Sequence, residues 1–251
     1  MTPTQTLKSA SVGSTSSNKA EPNPISRAIV LAAGRGSRLH SLTGDAPKCL
    51  TMIGGEPLLE RALKALAQQG ISEAVVVVGY MADVVRDHIG AQFAGINILY
   101  AEAPDYATTN NIRSLWDARA YLDEDVLLLE ADIAFDPEVV GKLLAHSGSS
   151  AAVAPYDPAL SGTVLLRNSS EQITSIILGA EQGPKFDTSD TYKTVNIYVL
   201  REQLLREQIL PRLGAFIEAG RVNEYYETVL RDCVADPRVE ADFAAIDVSD
   251  G

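Results

Sequence analysis

The chain has 251 residues, 46% of them hydrophobic, which is enough for one domain with its own core. Its formal net charge is −12 and it has no block of Lys and Arg, which argues against a nucleic-acid partner. No apolar run approaches the length of a membrane span. Cys49 and Cys233 lie far apart without His or Cys neighbours at metal-ligand spacing, so we expect buried thiols in a reducing cytoplasm.

The first 24 residues differ in composition from the rest of the chain. They are rich in Ser, Thr, Asn and Pro, and they contain no apolar segment long enough for a secretory signal. We therefore expect a disordered leader over residues 1–24 and one folded domain over residues 25–251.

Strand-like and helix-like patterns alternate along the first half of this domain. In chain order they predict a strand at 27–34, a helix at 57–70, a strand at 73–80, a helix at 82–90, a strand at 96–104, a helix at 110–122, a strand at 125–132 and a helix at 137–146. This alternation predicts βαβ units and a doubly wound, mostly parallel, Rossmann-like sheet.

The middle of the chain follows a different pattern. Four strand-like segments, separated by turn residues, occupy 150–156, 162–168, 172–178 and 192–200. They predict an inserted mixed or antiparallel β region laid over one end of the sheet. Two helices follow, at 201–220, where Pro211 predicts an interruption, and at 224–235.

Ligands of doubly wound sheets bind outside the carboxyl ends of the strands. Three polar segments fall at such ends: the loop that begins at Gly34, the pair Gly79 and Tyr80, and residues 130–132. The topology and the chemistry therefore indicate the same edge of the sheet.

Residues 29–50 read IVLAAGRGSRLHSLTGDAPKCL and form the first candidate binding loop. A dinucleotide fingerprint fails because Leu39 stands at the third glycine position, and no segment matches a P-loop. A plain surface turn with solvated arginines is one reading of the loop. The other is a phosphate loop, in which Gly34 and Gly36 let backbone N–H groups approach the phosphate.

The cations of this loop favour the phosphate reading. Arg35 and Arg38 can donate charge-assisted hydrogen bonds to phosphate oxygens, and Lys48 adds a point charge. The segments LAAGRGSRL and APKCL together resemble the signature of nucleoside triphosphate transferases of the sugar-nucleotidyltransferase and phosphocholine-cytidylyltransferase type. The resemblance implies that the loop wraps a triphosphate and that Lys48 contacts the α-phosphate or the acceptor. The nucleotide-binding residues implied in this loop are Leu31, Ala32, Ala33, Gly34, Arg35, Gly36 and Ser37, with Arg38 and Lys48 as catalytic cations.

Two carboxylates end the strand at 125–132. Glu130 and Asp132 lie on one face because side chains alternate along a strand, and strand-end solvation or helix capping is the plain alternative. Asp136 already suits the cap, so Asp132 is the better metal ligand, and the resemblance places a Mg²⁺-binding Asp here. Asp247 is a weak candidate for a second ligand. We expect the second carboxylate beyond Gly251, in a longer fused polypeptide.

The segment YATTNNIRSLWDAR resembles the Asn-Asn-x-x-Ser-Leu segment of phosphocholine-type cytidylyltransferases. Asn110 and Asn111 open a helix, so one of them can be its N-cap while the other binds ribose, base or acceptor. Ser114 belongs to the same segment. Gly79 and Tyr80 end a strand where they could contact a pyrimidine edge, which together favours CTP as the nucleotide.

The segment TYKTVNIYVL contains Lys193 in an otherwise apolar strand, where an edge-strand lysine is the plain reading. The segment resembles nucleotidyltransferase domains of phosphonate biosynthesis, which are often fused to a phosphoenolpyruvate mutase or an aminotransferase. This resemblance implies that Lys193 neutralises the acceptor's phosphonate or phosphate, with Asn196 beside it. Residues 223–227 would close the acceptor pocket, although Tyr225 and Tyr226 could equally be core aromatics.

The sequence therefore predicts a Mg²⁺-dependent cytidylyltransferase that acts on small molecules. It would transfer CMP from CTP to 2-aminoethylphosphonate, 2-hydroxyethylphosphonate or a phosphocholine-like acceptor and release pyrophosphate. A sugar-1-phosphate nucleotidyltransferase is the alternative within the fold, and a non-catalytic nucleotide-binding domain is the alternative outside catalysis.

Overall fold

The computed structural model describes residues 25–36, 46–157, 162–183, 186–239 and 242–249. The predicted leader at 1–24 lies outside these residues. The described strands are β1 (Arg27–Leu31), β2 (Met52–Ile53), β3 (Glu56–Pro57), β4 (Glu73–Val78), β5 (Gln92–Phe93), β6 (Ile96–Glu102), β7 (Val126–Glu130), β8 (Ser149–Pro155), β9 (Val164–Arg167), β10 (Ile173–Ile177), β11 (Thr191–Leu200) and β12 (Phe243–Asp247). The described α-helices are α1 (Leu58–Gln68), α2 (Ala82–Ile89), α3 (Asn111–Asp117), α4 (Pro137–Leu144), α5 (Glu202–Leu204), α6 (Leu210–Glu218) and α7 (Glu227–Ala235).

Four parallel strands in the order β6, β4, β1 and β7 form the centre of the main sheet. The side chains of the central strand β1 point alternately into two hydrophobic cores, one on each face of the sheet. Ile29 and Leu31 pack in a layer with α3, α6 and α7, whereas Ala28 and Val30 pack in a layer with α1, α2 and α4. Strands covered on both faces are apolar throughout, which is why RAIVL and AVVVV show no polar alternation. The predicted doubly wound α/β fold is confirmed.

The predicted antiparallel region is present, but it belongs to the same sheet instead of lying over it. Strand β11 pairs antiparallel with β7 through Ile197–Leu200 and with β9 through Thr191–Lys193, and β8 pairs with it on its other edge. Strand β12 then adds to β8 in parallel. The long strand β11 therefore connects the parallel core to the inserted strands.

The middle of β11 contains a bulge. Its pairing with β8 shifts register between Thr194 and Tyr198, and Asn196 there has a φ of 60°. Asn is among the residues that best tolerate this left-handed conformation, which explains a polar residue inside an apolar strand. Bulges re-aim side chains, and this one lies level with the end of β7 because Ile197 pairs with Leu129.

The predicted interruption at Pro211 is replaced by a widened helical turn. A π-helical segment, Leu205–Ile209, continues α5 into α6, and Pro211 is among the first residues of α6. A proline ring lacks an N–H donor and clashes with the carbonyl four residues earlier in a regular α-helix. The π-helical turn changes that geometry, so the chain stays helical past the proline.

Both cysteines are buried and neither forms a disulfide, as predicted. Burial raises the pKa of the Cys49 thiol to about 12 and that of Cys233 to about 11. In the described part of the chain, no helix combines the length and apolar composition needed to cross a membrane.

Arg201 joins the loops at one end of β7 and β8, and we expect its loss to destabilise the fold. Its guanidinium donates to Asp125 at 2.9 Å, to the His146 carbonyl at 2.8 Å and to the Gly148 carbonyl at 3.2 Å. Arg201→Ala removes this donor from the two carbonyls and from Asp125, which keeps the Glu202 backbone N–H at 2.7 Å, so the free energy of unfolding in urea should fall by about 2–3 kcal/mol.

Arg206→Ala is the matched control for this substitution. Arg206 is 63% exposed and pairs with Glu202 on the helix surface, where such pairs contribute at most about 0.5 kcal/mol. Equal losses in the two variants would contradict the assignment of Arg201 as a structural anchor.

Candidate functional site

A cleft of about 940 Å³ opens at the carboxyl ends of the parallel strands. Most of the predicted site residues line it together. They are Leu31, Ala32, Ala33, Gly34, Gly36, Lys48, Asn110, Asn111, Ser114, Asp132, Lys193, Asn196 and Tyr225. Ser37 and Arg38 lie outside the described residues, so their predicted roles stay predictions.

The glycine loop brings Lys48 close to the strand end. Gly36 has a φ of 66°, and a Cβ built on it would lie 2.7 Å from the Cβ of Lys48. Lys48 begins a short 3₁₀-helix, Lys48–Leu50, and its ammonium forms an ion pair with Asp132. Only glycine meets both requirements, a left-handed backbone and room for the lysine stem.

Glu130 and Asp132 end β7 in different surroundings. Asp132 pairs with Lys48, whereas Glu130 accepts a hydrogen bond of 3.0 Å from the Asn111 side-chain amide. Burial, together with the charges of Glu227 and Asp132, raises the pKa of the Glu130 carboxyl to about 7. The sequence prediction chose Asp132 and left Glu130 without a role, although the structure places both in the cleft.

Both asparagines at the start of α3 form side-chain hydrogen bonds, and Asn110 is the N-cap that the sequence predicted for one of them. The role of the other in binding ribose, base or acceptor stays a prediction. Asn110 accepts from the Asn111 backbone N–H at 2.9 Å. The Asn111 amide donates to Glu130, and its oxygen accepts from the Tyr226 backbone N–H at 3.0 Å. Asn111 therefore fixes the position of α7 relative to β7 while it lines the cleft.

Gly79, Tyr80 and Arg35 are not among the described residues that line this cleft, and their predicted contact with the nucleotide stays a prediction. A Cβ on Gly79 would lie 2.8 Å from the Tyr106 side chain, so the missing side chain lets Tyr106 close the wall. The Tyr80 ring packs between Tyr106, with centroids 6.2 Å apart, and the Arg35 guanidinium, 5.3 Å from the ring centroid. Gly79 and Tyr80 therefore fix the position of Tyr106 at this strand end.

Lys193 lies beyond the end of β7 on the extended part of β11. Strand β11 pairs Ile197 with Leu129 and then continues past the end of β7, through its bulge, to Lys193. Its ammonium donates to the Thr194 carbonyl at 3.1 Å and forms no ion pair with any described residue. Burial lowers the pKa of Lys193, which marks a cation held partly out of water.

The two tyrosines of segment 223–227 are divided between the cleft and the core. Tyr225 is 45% exposed and lines the cleft, whereas Tyr226 is fully buried and packs edge-to-face on Tyr198 with centroids 5.9 Å apart. Glu227 follows them, begins α7 and also lines the cleft, although it is only 5% exposed. Tyr226 is thus a core aromatic, whereas Tyr225 lines the cleft and its contact with an acceptor stays a prediction.

Several lining residues had no assigned role in the sequence prediction. Glu227 belonged to the segment expected to close the pocket, so its position carried a signal. Tyr106 begins the segment that resembles cytidylyltransferases but lies outside its Asn-Asn-x-x-Ser-Leu part, and Gln182 comes from a loop without a motif. Gln182 donates to the Gly162 carbonyl at 2.7 Å and holds the cleft wall between β9 and β10 together.

The acidic groups of the cleft fit Mg²⁺ held partly by substrate. In the described ranges, no group of three or more His, Cys, Asp and Glu side chains is arranged for a metal. Mg²⁺ is usually held by one or two carboxylates together with substrate phosphates and water, and the cleft lining offers that number at the end of β7. Asp247, the weak second candidate, does not line the cleft, and its carboxylate accepts from the Ser249 N–H at 2.9 Å.

A doubly wound sheet with a glycine loop, a lysine and a strand-end carboxylate at its carboxyl edge fits the nucleoside triphosphate transferase class that the sequence resembles. Comparison with known families agrees with this class. Residues 28–220 match the MobA-like NTP transferase domain, and the chain belongs to that family.

Known relatives include cytidylyltransferases. The chain is 41% identical over 211 residues to a CMP-5'-(3-aminopropyl)phosphonate synthase of Streptomyces rubellomurinus, covering 83% of this chain and 33% of that protein. The chain thus spans about a third of the length of this relative. It is also 32% identical over 123 residues to a CTP:phosphoglutamine cytidylyltransferase of Campylobacter jejuni, covering 47% of each chain.

Solved structures share the fold. The structure of a CTP:phosphocholine cytidylyltransferase from Streptococcus pneumoniae matches with a TM-score of 0.66 at 20% identity. The match covers 88% of this chain and 89% of that one. At this identity the likeness concerns the fold alone.

We expect Gly36→Ala to destabilise the glycine loop and Gly34→Ala to leave stability unchanged. The first substitution forces an L-residue into a positive φ and drives a methyl group into Lys48, whereas a Cβ at Gly34 has no neighbour within 4 Å. The free energy of unfolding should fall by about 1–2 kcal/mol in Gly36→Ala. Thermal and urea unfolding measure this difference, and equal stability of the two variants would contradict the proposed packing of Lys48 on Gly36.

Proposed function

We propose that the domain is a Mg²⁺-dependent cytidylyltransferase, which transfers CMP from CTP to a small phosphonate or phosphate monoester and releases pyrophosphate. The observation that carries this proposal is the position of Lys193. This partly buried cation has no acidic partner within ion-pair distance in the described chain, and it shares one cleft with the glycine loop.

The cost of burying an unpaired charge supports an anionic occupant next to Lys193. A lysine out of water is unfavourable unless an anion or several acceptors compensate it, and here one backbone carbonyl does so. An acceptor phosphonate or phosphate would supply the missing charge. The other end of the cleft, at Gly34, Gly36 and Lys48, has the chemistry that a triphosphate requires.

The relatives support the choice of CTP and of a phosphonate. Their names specify cytidylyl transfer and, in the Streptomyces protein, an aminopropylphosphonate product. Because the chain spans a third of that protein, an adjoining mutase or aminotransferase domain is also part of the proposal.

The proposed reaction is an in-line displacement at the α-phosphorus of CTP. An acceptor oxygen forms the new P–O bond while the bond to the bridging oxygen of the β-phosphate breaks, and the electron pair leaves with pyrophosphate. The acceptor oxygen is already anionic at neutral pH, so no Ser, Cys or His is needed as a nucleophile or base. Lys193 would hold the acceptor, and Lys48 would neutralise charge that develops near the α-phosphate.

Arg38 is proposed to assist Lys48 at the phosphates, as the resemblance implies. Mg²⁺, held by Asp132 and phosphate oxygens, would supply Lewis-acid charge neutralisation. Asp132 and Lys48 already attract each other in this structure, so the substrate phosphates would enter a site in which one protein charge pair is assembled.

We expect Lys48→Ala and Asp132→Ala each to lower kcat for pyrophosphate release by roughly 10²–10³-fold, as for the loss of one preorganised charge in an active site. Lys64→Ala is the control, because Lys64 forms an ion pair with Glu56 away from the cleft. Activity close to that of the unchanged protein in either cleft variant would overturn the assignment of these residues.

A pyrophosphate-release screen tests the substrates. It crosses CTP, UTP, GTP and dTTP with aminoalkylphosphonates, 2-hydroxyethylphosphonate, phosphocholine and sugar 1-phosphates. We expect turnover with CTP and a phosphonate. Turnover with UTP and a sugar 1-phosphate would establish the alternative reading, and no turnover in any combination would favour a non-catalytic domain.

A further inference from the structure

Two buried oxygen atoms of the cleft lining have no hydrogen-bond partner among the described residues. They are Oδ1 of Asn196 and Oε2 of Glu227. A carboxylate oxygen and an amide oxygen can only accept hydrogen bonds, so both atoms require a donor. Buried polar groups are normally satisfied, so two unsatisfied acceptors on residues that line one cleft mark a place where a bound donor group would be favourable.

The fold holds both side chains in place. Asn196 occupies the bulge of β11 with a φ of 60°, and its backbone N–H donates to the Thr194 hydroxyl at 3.1 Å. Glu227 is only 5% exposed and follows Tyr226, whose N–H donates to Asn111. Strained or buried polar positions persist where the surrounding structure fixes them, and they cluster at ligand sites.

Lys193 lies in the same part of the cleft, and it requires an anion, whereas the two oxygen atoms require a donor. The Glu227 charge acts on Lys193 electrostatically, yet the two side chains do not form an ion pair. This part of the cleft therefore presents a cation that lacks an anion and acceptors that lack a donor. A zwitterion with an anionic group and an N–H cation complements both.

We propose that Glu227 and Asn196 bind the primary ammonium group of the acceptor while Lys193 binds its phosphonate, so the substrate class is the ω-aminoalkylphosphonates. This inference rests on the proposed cytidylyltransferase function. It assigns the choice among acceptors to Glu227, since a buried carboxylate favours a cation over a neutral group of the same size.

The geometry also discriminates against the other acceptor types. A hydroxyl group can donate one hydrogen bond, but it leaves the Glu227 charge uncompensated in a buried site. A quaternary ammonium, as in phosphocholine, carries the charge but has no N–H for the two oxygens. Only a primary ammonium, protonated at neutral pH as a lysine side chain is, supplies both charge and donors.

The test is the ratio of kcat/KM for 2-aminoethylphosphonate to that for 2-hydroxyethylphosphonate, which differ in the terminal group. We expect the unchanged protein to prefer the amine by about 10- to 100-fold, the range for one charged hydrogen bond. In Glu227→Gln the ratio should fall towards one through a higher KM for the amine, with the hydroxyl substrate and the KM for CTP little changed.

Glu224→Gln is the matched control, because Glu224 is in the same segment but pairs with Arg221 outside the cleft lining. It should keep the ratio of the unchanged protein. Glu227→Gln should have a melting temperature equal to or higher than that of the unchanged protein. The substitution removes a buried charge that lacks a full set of hydrogen-bond partners. If Glu227→Gln does not fold, Asn196→Asp provides the second variant, and its added charge should raise the ratio.

The outcomes separate this inference from the proposed function. Turnover of both phosphonates with no preference for the amine, or an equal loss for both substrates in Glu227→Gln, would overturn the ammonium site and leave the cytidylyltransferase intact. Pyrophosphate release with sugar phosphates alone would overturn the proposed function itself.

Discussion

The main physical constraint on the cleft is the cost of keeping charged side chains out of contact with water. Three carboxylates, Glu130, Asp132 and Glu227, share its lining with two lysines, Lys48 and Lys193. Near the glycine loop the charges are balanced within the chain, because Lys48 pairs with Asp132. Near β11 they are not balanced, because Lys193 and Glu227 lie close enough to interact but do not pair. Desolvated charges without partners are unfavourable, so one half of the cleft is complete and the other half is complementary to a bound molecule.

Strand β11 is the element that makes this imbalance structurally possible. Its second half is a core strand paired with β7, so its position is fixed by the packing of the whole domain. Its first half extends past the sheet edge and carries Lys193, supported there by β8 and β9. The bulge at Asn196 divides the two halves and turns one polar side chain toward the cleft. Strand β11 therefore joins the packed core to the part of the cleft that is proposed to hold the acceptor.

The sequence identified the cleft residues that a local pattern marks. It failed to identify contacts between residues that are distant in the sequence. The parallel strands, the glycine loop and the strand-end Asp132 follow from apolar runs and turn residues, and the structure brings them together. The sequence could not show that Asn111 links β7 to the start of α7, because its partners Glu130 and Tyr226 are 19 and 115 residues away. The packing of Gly79 against Tyr106 is likewise visible only in three dimensions, since the two residues belong to different segments.

The attachment of the inserted strands bears on how enzymes of this architecture diverge. Strand β9 is hydrogen-bonded to β11 through three residues, Thr191–Lys193, whereas the parallel core is joined along whole strands. Substitutions, insertions or deletions in β9, β10 and the segments around them would therefore reshape one wall of the cleft with little effect on the register of the core. Under the proposed function this wall faces the acceptor, so the architecture allows the acceptor site to change while the glycine loop and the parallel core stay the same.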